Sequence, residues 1–282
     1  MMQSRKKNLF VQNIIPFLIL ALGLAIMAYP SFSDWWNSKN QSRAISYYVT
    51  SVKENDTESI ERLLNDARAY NDYILTKSNV FSMSAEDIDR YDSLLDISGK
   101  GIMGYVQIDS IGVNLPIYHG TNAAVLQKAI GHLEWTSLPV GGPSTHSVLS
   151  GHRGLPSAKL FSSLDKVKIG DVFTVTVLNE TLTYLVDKIS IVNPDDTSDL
   201  MIIDGLDLCT LVTCTPYGIN THRLLVRGHR IKILTTEETI INGASRLSNI
   251  IVFLTVFVPV LFIILICILV KDYIDFELKQ VA

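Results

Sequence analysis

A thiol and a guanidinium nine positions apart are the side chains of this sequence best suited to chemistry. Cys214 falls in the run Thr210-Leu211-Val212-Thr213-Cys214-Thr215-Pro216, and Arg223 follows it. The stretch Leu208 to Thr213 is apolar and β-branched, the pattern of a buried strand. Pro216, Tyr217 and Gly218 break that pattern, and His222-Arg223-Leu224-Leu225-Val226-Arg227 resumes it. The spacing predicts a thiol at the end of one strand and a guanidinium on its neighbour. The thiolate is the nucleophilic form of cysteine, and nearby positive charge favours it. A cysteine ending a strand is, taken alone, more often a small buried hydrophobe.

A histidine run gives the pair a context. In Val148-Leu149-Ser150-Gly151-His152-Arg153-Gly154, glycines at 151 and 154 place His152 in a turn after a strand, where function concentrates. Thr-Leu-Val-Thr-Cys with Arg223 nine residues on, together with this run, resembles the signature of the sortases, membrane-anchored cysteine transpeptidases of Gram-positive bacteria. The longer run from Cys214-Thr215-Pro216-Tyr217-Gly218-Ile219-Asn220-Thr221 to Gly228 looks like their class C, pilin-polymerising branch. The resemblance extends from about Met103 to Ile231.

The resemblance implies a division of labour. Acyl transfer at a peptide bond needs a nucleophile, a proton donor for the leaving amine and a stabiliser for the oxyanion. Cys214 is implied as nucleophile, His152 as acid and base, and Arg223 as holder of the carbonyl or oxyanion. The implied substrate is an LPxTG-like sorting signal on a pilin subunit, with a pilin lysine as incoming amine and an isopeptide bond as product. Two alternatives are a housekeeping-type sortase acting on a cell-wall precursor and a non-catalytic membrane-tethered β-barrel scaffold. The second apolar segment and the Thr215–Arg223 run disfavour the former; the complete set of His152, Cys214 and Arg223 disfavours the latter.

Class C sortases commonly carry a lid ahead of the barrel, with an Asp-Pro-aromatic motif that covers the cysteine. No proline lies between Pro30 and Pro116, and Asn79-Val80-Phe81 is the best match by position. Phe81 keeps an aromatic ring, Asn79 lacks the carboxylate, and Val80 lacks the fixed φ that pre-sets a turn. A lid built on these residues is expected to hold less tightly.

Other residues compete for the same roles. Of the six histidines, His222 is nearest in sequence to Arg223, but strand alternation turns it to the opposite face. His119 and His132 sit in glycine-flanked turns and read as structural. Arg227, four after Arg223, shares its face on a regular strand, so geometry leaves it open and only the motif selects Arg223. The three cysteines are Cys209, Cys214 and Cys267. Cys209 and Cys214 are five apart on one strand, too far to bridge, and Cys209 reads as core. No Cys/His cluster has zinc-ligand spacing, so neither metal nor cofactor is expected.

These side chains need a scaffold outside a membrane. The formal charge of −4 gives no reason to expect nucleic-acid binding. Arg5, Lys6 and Lys7 precede the apolar stretch Ile14 to Tyr29, a signal peptide or, lacking a clean cleavage site, an uncleaved anchor. Ile250 to Val270 is almost wholly apolar, and about 20 residues at ~1.5 Å each span a ~30 Å hydrocarbon core. Basic residues at the first end predict both termini inside and residues 31–248 on the extracellular face.

The expected organisation is an anchor (1–30), a helical linker and possible lid (31–100), a catalytic barrel (101–236), a linker (237–249), a second transmembrane helix (250–270) and a cytoplasmic tail (271–282). Ile60, Leu63, Leu64 and Ala67 have helical spacing, and one or two helices are expected before Leu95. Strand patterns cover Ile102–Ile108, Val113–Tyr118, Ser147–Ser150, Val172–Leu178, Thr181–Val192, Leu208–Cys214 and Arg223–Leu234, with short helices expected at Gln127–Ile130 and Leu160–Leu164. Many short strands separated by turns indicate a closed barrel or a sandwich. The resemblance implies the former, a mainly β, eight-stranded sortase-type barrel.

Overall fold

A computed structural model describes residues 2–77, 81 and 83–232, with side chains from 15 onward. The chain divides between Trp36 and Asn37 into two compact units. In the first, helix α1 (Met2–Glu54) begins and runs through Pro16 and Pro30 without a break. Among the described residues one helix, Ile15–Glu54, is long and apolar enough to cross a membrane. The expected second span at 250–270 lies outside the described residues.

The second unit is built on a barrel. Its strands are β1 (Ile102–Ile108), β2 (Val113–His119), β3 (Ile130–His132), β4 (Thr145–Ser150), β5 (Val172–Val177), β6 (Glu180–Val192), β7 (Asp207–Thr215) and β8 (His222–Ile231). They close in the order β1-β2-β3-β4-β7-β8-β6-β5. Closure removes the unpaired edges that an open sheet presents. The β2–β3 and β4–β7 pairs are parallel and the others antiparallel. Alternation fills the barrel: Cys209, Leu211, Leu224 and Val226 point into the core with Val106, Val175, Phe173 and Tyr184.

Two helices cover this core. In α2 (Thr57–Thr76), Ile60, Leu64, Ala67, Tyr70 and Ile74 form one buried face, and Asp56 caps the helix by accepting from Ser59 N at 2.7 Å. Asn71, buried on that face, donates to Leu138 O and accepts from Leu138 N at 3.0 and 2.7 Å, as a backbone strand would. Helix α3 (Ala85–Ser93) opens with a capping box between Ser84 and Asp87. Tyr48 of α1 is buried, its hydroxyl donating to Met103 O and accepting from Leu178 N.

Two short elements differ from the expectation. Gln127–Ile130 is not a helix. The helical turn is α4 (Ala123–Leu126), started four residues earlier because the Asn122 side chain accepts from Val125 N, and Ile130 opens β3. Leu160–Leu164 is likewise not helical. Leu160 has a φ of 38°, and a 3-10 turn follows at Leu164–Lys166.

Candidate active site

Cys214 is the penultimate residue of β7 and is half-buried. On one side β8 brings Arg223 opposite it, Cα paired with Cα. On the other side β4 runs parallel, pairing Ser150 with Val212. The ladder continues one step past β4, since Gly151 N donates to Val212 O at 3.0 Å and Thr213 Oγ1 donates to Gly151 O at 2.7 Å. His152 follows Gly151 directly, so its turn leaves β4 at the end of β7 that carries Cys214. Cys214 and Arg223 thus form one row across the sheet, on its outer face, and the turn that carries His152 follows the neighbouring strand β4.

Gly151 lets the turn after β4 pack closely on the core. A Cβ there would lie 2.5 Å from Ile130 Cδ1 and 2.8 Å from Phe161 Cδ2. Only glycine lets the turn settle onto the core with His152 just beyond it. The His152 carbonyl accepts from Phe161 N at 3.2 Å, tying the turn from behind.

The competing residues are placed elsewhere or engaged. His222 pairs with Thr215, one step out of phase with Cys214 and Arg223, and its Nδ1 is bonded to Thr221 Oγ1. Arg227 shares the outer face with Arg223, but Asp187 holds it. Its Nε donates to one carboxylate oxygen at 3.0 Å and a terminal nitrogen to the other at 3.3 Å. Among the described residues Arg223 donates only to backbone carbonyls, Asn220 O at 3.4 Å and His222 O at 3.2 Å. Cys209 is fully buried in the core, and that burial pushes its thiol well above the ordinary range. His132, also fully buried, is held by Tyr91 and by Ser137 O. Cys267 lies outside the described residues.

Beside the row lies an apolar floor. Val148, Leu200, Val212 and Leu225 form a small buried cluster distinct from the barrel interior, with Leu133, Trp135 and Val192 packed against it. Val212 and Leu225 lie two residues from Cys214 and Arg223 on the same face. This floor was not anticipated, although alternation back from Cys214 reaches Val212 directly. Leu200 comes from a 3-10 turn (Ser198–Leu200) and Trp135 from a loop, where no period marks them.

Of the lid residues, Asn79 and Val80 lie outside the described residues. Phe81 stacks at a tilt on Trp135, with centroids 4.7 Å apart. The ends of this segment are drawn together by Asp87, which accepts from Lys77 Nζ at 2.5 Å, Ser84 Oγ at 2.7 Å and Tyr73 OH at 2.8 Å. Those donors, Lys77 first, hold its carboxyl well below the usual carboxylate range.

Residues 106–231 match the sortase-domain family model. Sortase C1 from Streptococcus agalactiae is 54% identical, with a TM-score of 0.66 over 68% of this chain and 99% of that one. The chain belongs to the sortase family. Sortase C from Streptococcus pneumoniae, whose structure was described with regard to pilin substrate specificity, is 40% identical, with a TM-score of 0.59 over 68% of this chain and 97% of that one. Sortase D of Bacillus subtilis is 26% identical over 78% of this chain and all of its own length. The similarity to class C enzymes covers the barrel, and the protein is a sortase transpeptidase.

Proposed function

We propose that this sortase joins pilin subunits through a thioacyl-enzyme, with Cys214, His152 and Arg223 as its catalytic residues. The pairing of Cys214 with Arg223 beside an apolar floor carries the reading. The Cys214 thiolate attacks the carbonyl carbon of the threonine in an LPxTG-like sorting signal. Arg223 donates to the oxygen as it gains charge, where a charged, directional donor is most effective. His152 gives a proton to the glycine amine as the C–N bond breaks, leaving a thioester. A lysine amine of a second pilin then attacks the thioester, loses its proton to His152 and forms an isopeptide bond as the Cys214 thiolate leaves. The apolar floor accommodates the leucine and proline of the signal, and water excluded from it cannot compete with the lysine.

Several observations support the finer parts. The pilin assignment rests on the class C relatives, one of them described with pilin specificity. The apolar N-terminal helix supports membrane anchoring, with the barrel on the extracellular face. The test uses the full chain in detergent, a sorting-signal peptide and a pilin domain bearing the acceptor lysine. Wild type should give a thioacyl adduct by intact mass and then a ligated product. Cys214→Ala should give neither, and His152→Ala should lower turnover by at least about 10²-fold while His222→Ala does not. A Cys214→Ala protein that still ligates overturns the assignment.

A further inference from the structure

We infer that Arg153 is a positioning residue, whose guanidinium fixes His152 against the Cys214 strand end. The inference rests on the reading of His152 and Cys214 given above and adds a residue to it. The β4 ladder ends at Gly151, so the backbone bonds between β4 and β7 stop one residue short of His152. Behind the turn, Phe161 N and the Ser162 hydroxyl bond His152 O and Gly154 N. Towards Cys214 the tie is a side chain. Arg153 donates from one terminal nitrogen to Thr215 Oγ1 at 3.2 Å, one residue beyond the thiol, and from the other to Asp165 Oδ2 at 2.6 Å.

This is a built arrangement rather than a surface ion pair. The Arg153 side chain is 9% exposed, whereas Asp165 keeps 43% of its surface in water. Arg153 Nε is buried with no hydrogen-bond partner among the described residues. The guanidinium lies over the Tyr217 ring at 5.8 Å, and that ring packs onto Gly154, where a Cβ would stand 3.1 Å from it. One planar fork therefore joins the histidine turn, the end of β7, the β7–β8 loop and the 3-10 turn at Leu164–Lys166. A lysine, with a single point charge, cannot hold both acceptors at once. Proton transfer is sensitive to placement on the scale of an ångström, so releasing the fork should act on turnover rather than on binding.

The experiment is a double-mutant cycle on the full chain, reading kcat and KM for sorting-signal cleavage. Arg153→Met keeps the alkyl stem on Tyr217 and removes every donor. It should lower kcat by about tenfold to a hundredfold with KM within about twofold. In a His152→Ala background the same change should have no further effect, because a residue acting only through His152 has nothing left to position. Arg153→Lys should recover only a small part of the loss. If Arg153→Met fails to fold, Asp165→Asn removes the outer end of the tie at an exposed position and should show the same dependence on His152 with a smaller loss. An unchanged kcat in a folded variant, or an equal loss in both backgrounds, overturns the inference. Full activity of His152→Ala alone would instead overturn the catalytic reading on which it rests.

Discussion

Phe81 and Trp135 lie ring against ring, their planes inclined by 57°. Trp135 packs in turn on the apolar cluster that holds Val212 and Leu225, which lie two residues from Cys214 and Arg223 along their strands. An aromatic pair contributes about 0.5–1.5 kcal/mol beyond its buried area. That corresponds to about a two- to tenfold change in the fraction of molecules with the contact open. Phe81→Ala should raise the alkylation rate of Cys214 by this factor, and Trp135→Ala should do the same without adding to it. Rates unchanged in both variants would mean that the contact does not shield the thiol.

The two described cysteines should differ sharply in reactivity. Cys209 points into the barrel and its thiol is held protonated by burial, whereas Cys214 is half exposed. Brief treatment of the native protein with iodoacetamide, followed by peptide mapping, should modify Cys214 and spare Cys209. Cys209→Ala should keep its activity at a stability cost of about 1 kcal/mol for the lost buried sulfur. Loss of activity in the folded variant would show that the core thiol has a further part.

Arg223 and Arg227 lie on one face of β8, and their substitutions should separate function from stability. Arg223→Ala should lower kcat by about 10²–10³-fold, the scale for losing an oxyanion donor, with little change in melting temperature. Arg227→Ala leaves the part-buried Asp187 carboxylate without its bidentate partner. It should destabilise the protein while its folded fraction keeps most of its activity. Lysine at 223 should recover poorly because it lacks the guanidinium fork. Equal kinetic losses at the two positions would contradict the assignment.

Buried histidines give the fold a pH dependence of definite sign. Ser137 O can only accept, so His132 Nε2 carries the proton and Nδ1 accepts from Tyr91. Burial pushes the His132 imidazole down to about 3 and lowers His146 as well. The unfolded chain binds protons at these rings from about pH 6.5 downward, and the folded chain binds them only at lower pH. Stability is therefore lost as pH falls below that value, by up to about 1.4 kcal/mol per pH unit for His132 alone. Urea unfolding followed at about pH 6.5 and about pH 5 should show this slope, and His132→Gln should flatten it. A variant that keeps the full slope would place its origin elsewhere.

The sequence made the long strands legible because their β-branched residues alternate over many positions. It also showed that Arg223 and His222 must face opposite ways, since a strand's period of two is inflexible. β3 escaped because three residues carry no period; Ile130-Gly131-His132 takes its strand form only from β2 and β4. The turn at Ala123–Leu126 was signalled by the capping Asn122, a cue weaker than the apolar residues after it. Between Arg223 and Arg227 sequence geometry was silent. What separates them is Asp187, at a bulge in β6 where the register with β8 shifts between Val186 and Lys188.

The parallel pairing of β4 with β7 has a consequence for when this enzyme becomes an enzyme. Parallel neighbours cannot be joined by a hairpin, and here the crossover contains the whole of β5 and β6. Those two strands in turn complete the ring by meeting β1 and β8. The end of β7 meets the turn that leads to His152 only through contacts made across 62 positions of chain, and Arg223 only when the last strand arrives. Such distant contacts form late and slowly. On the catalytic reading proposed above, a partly folded chain carries a sulfur atom with no chemistry to perform, and the first catalytic turnover reports that the entire ring has closed.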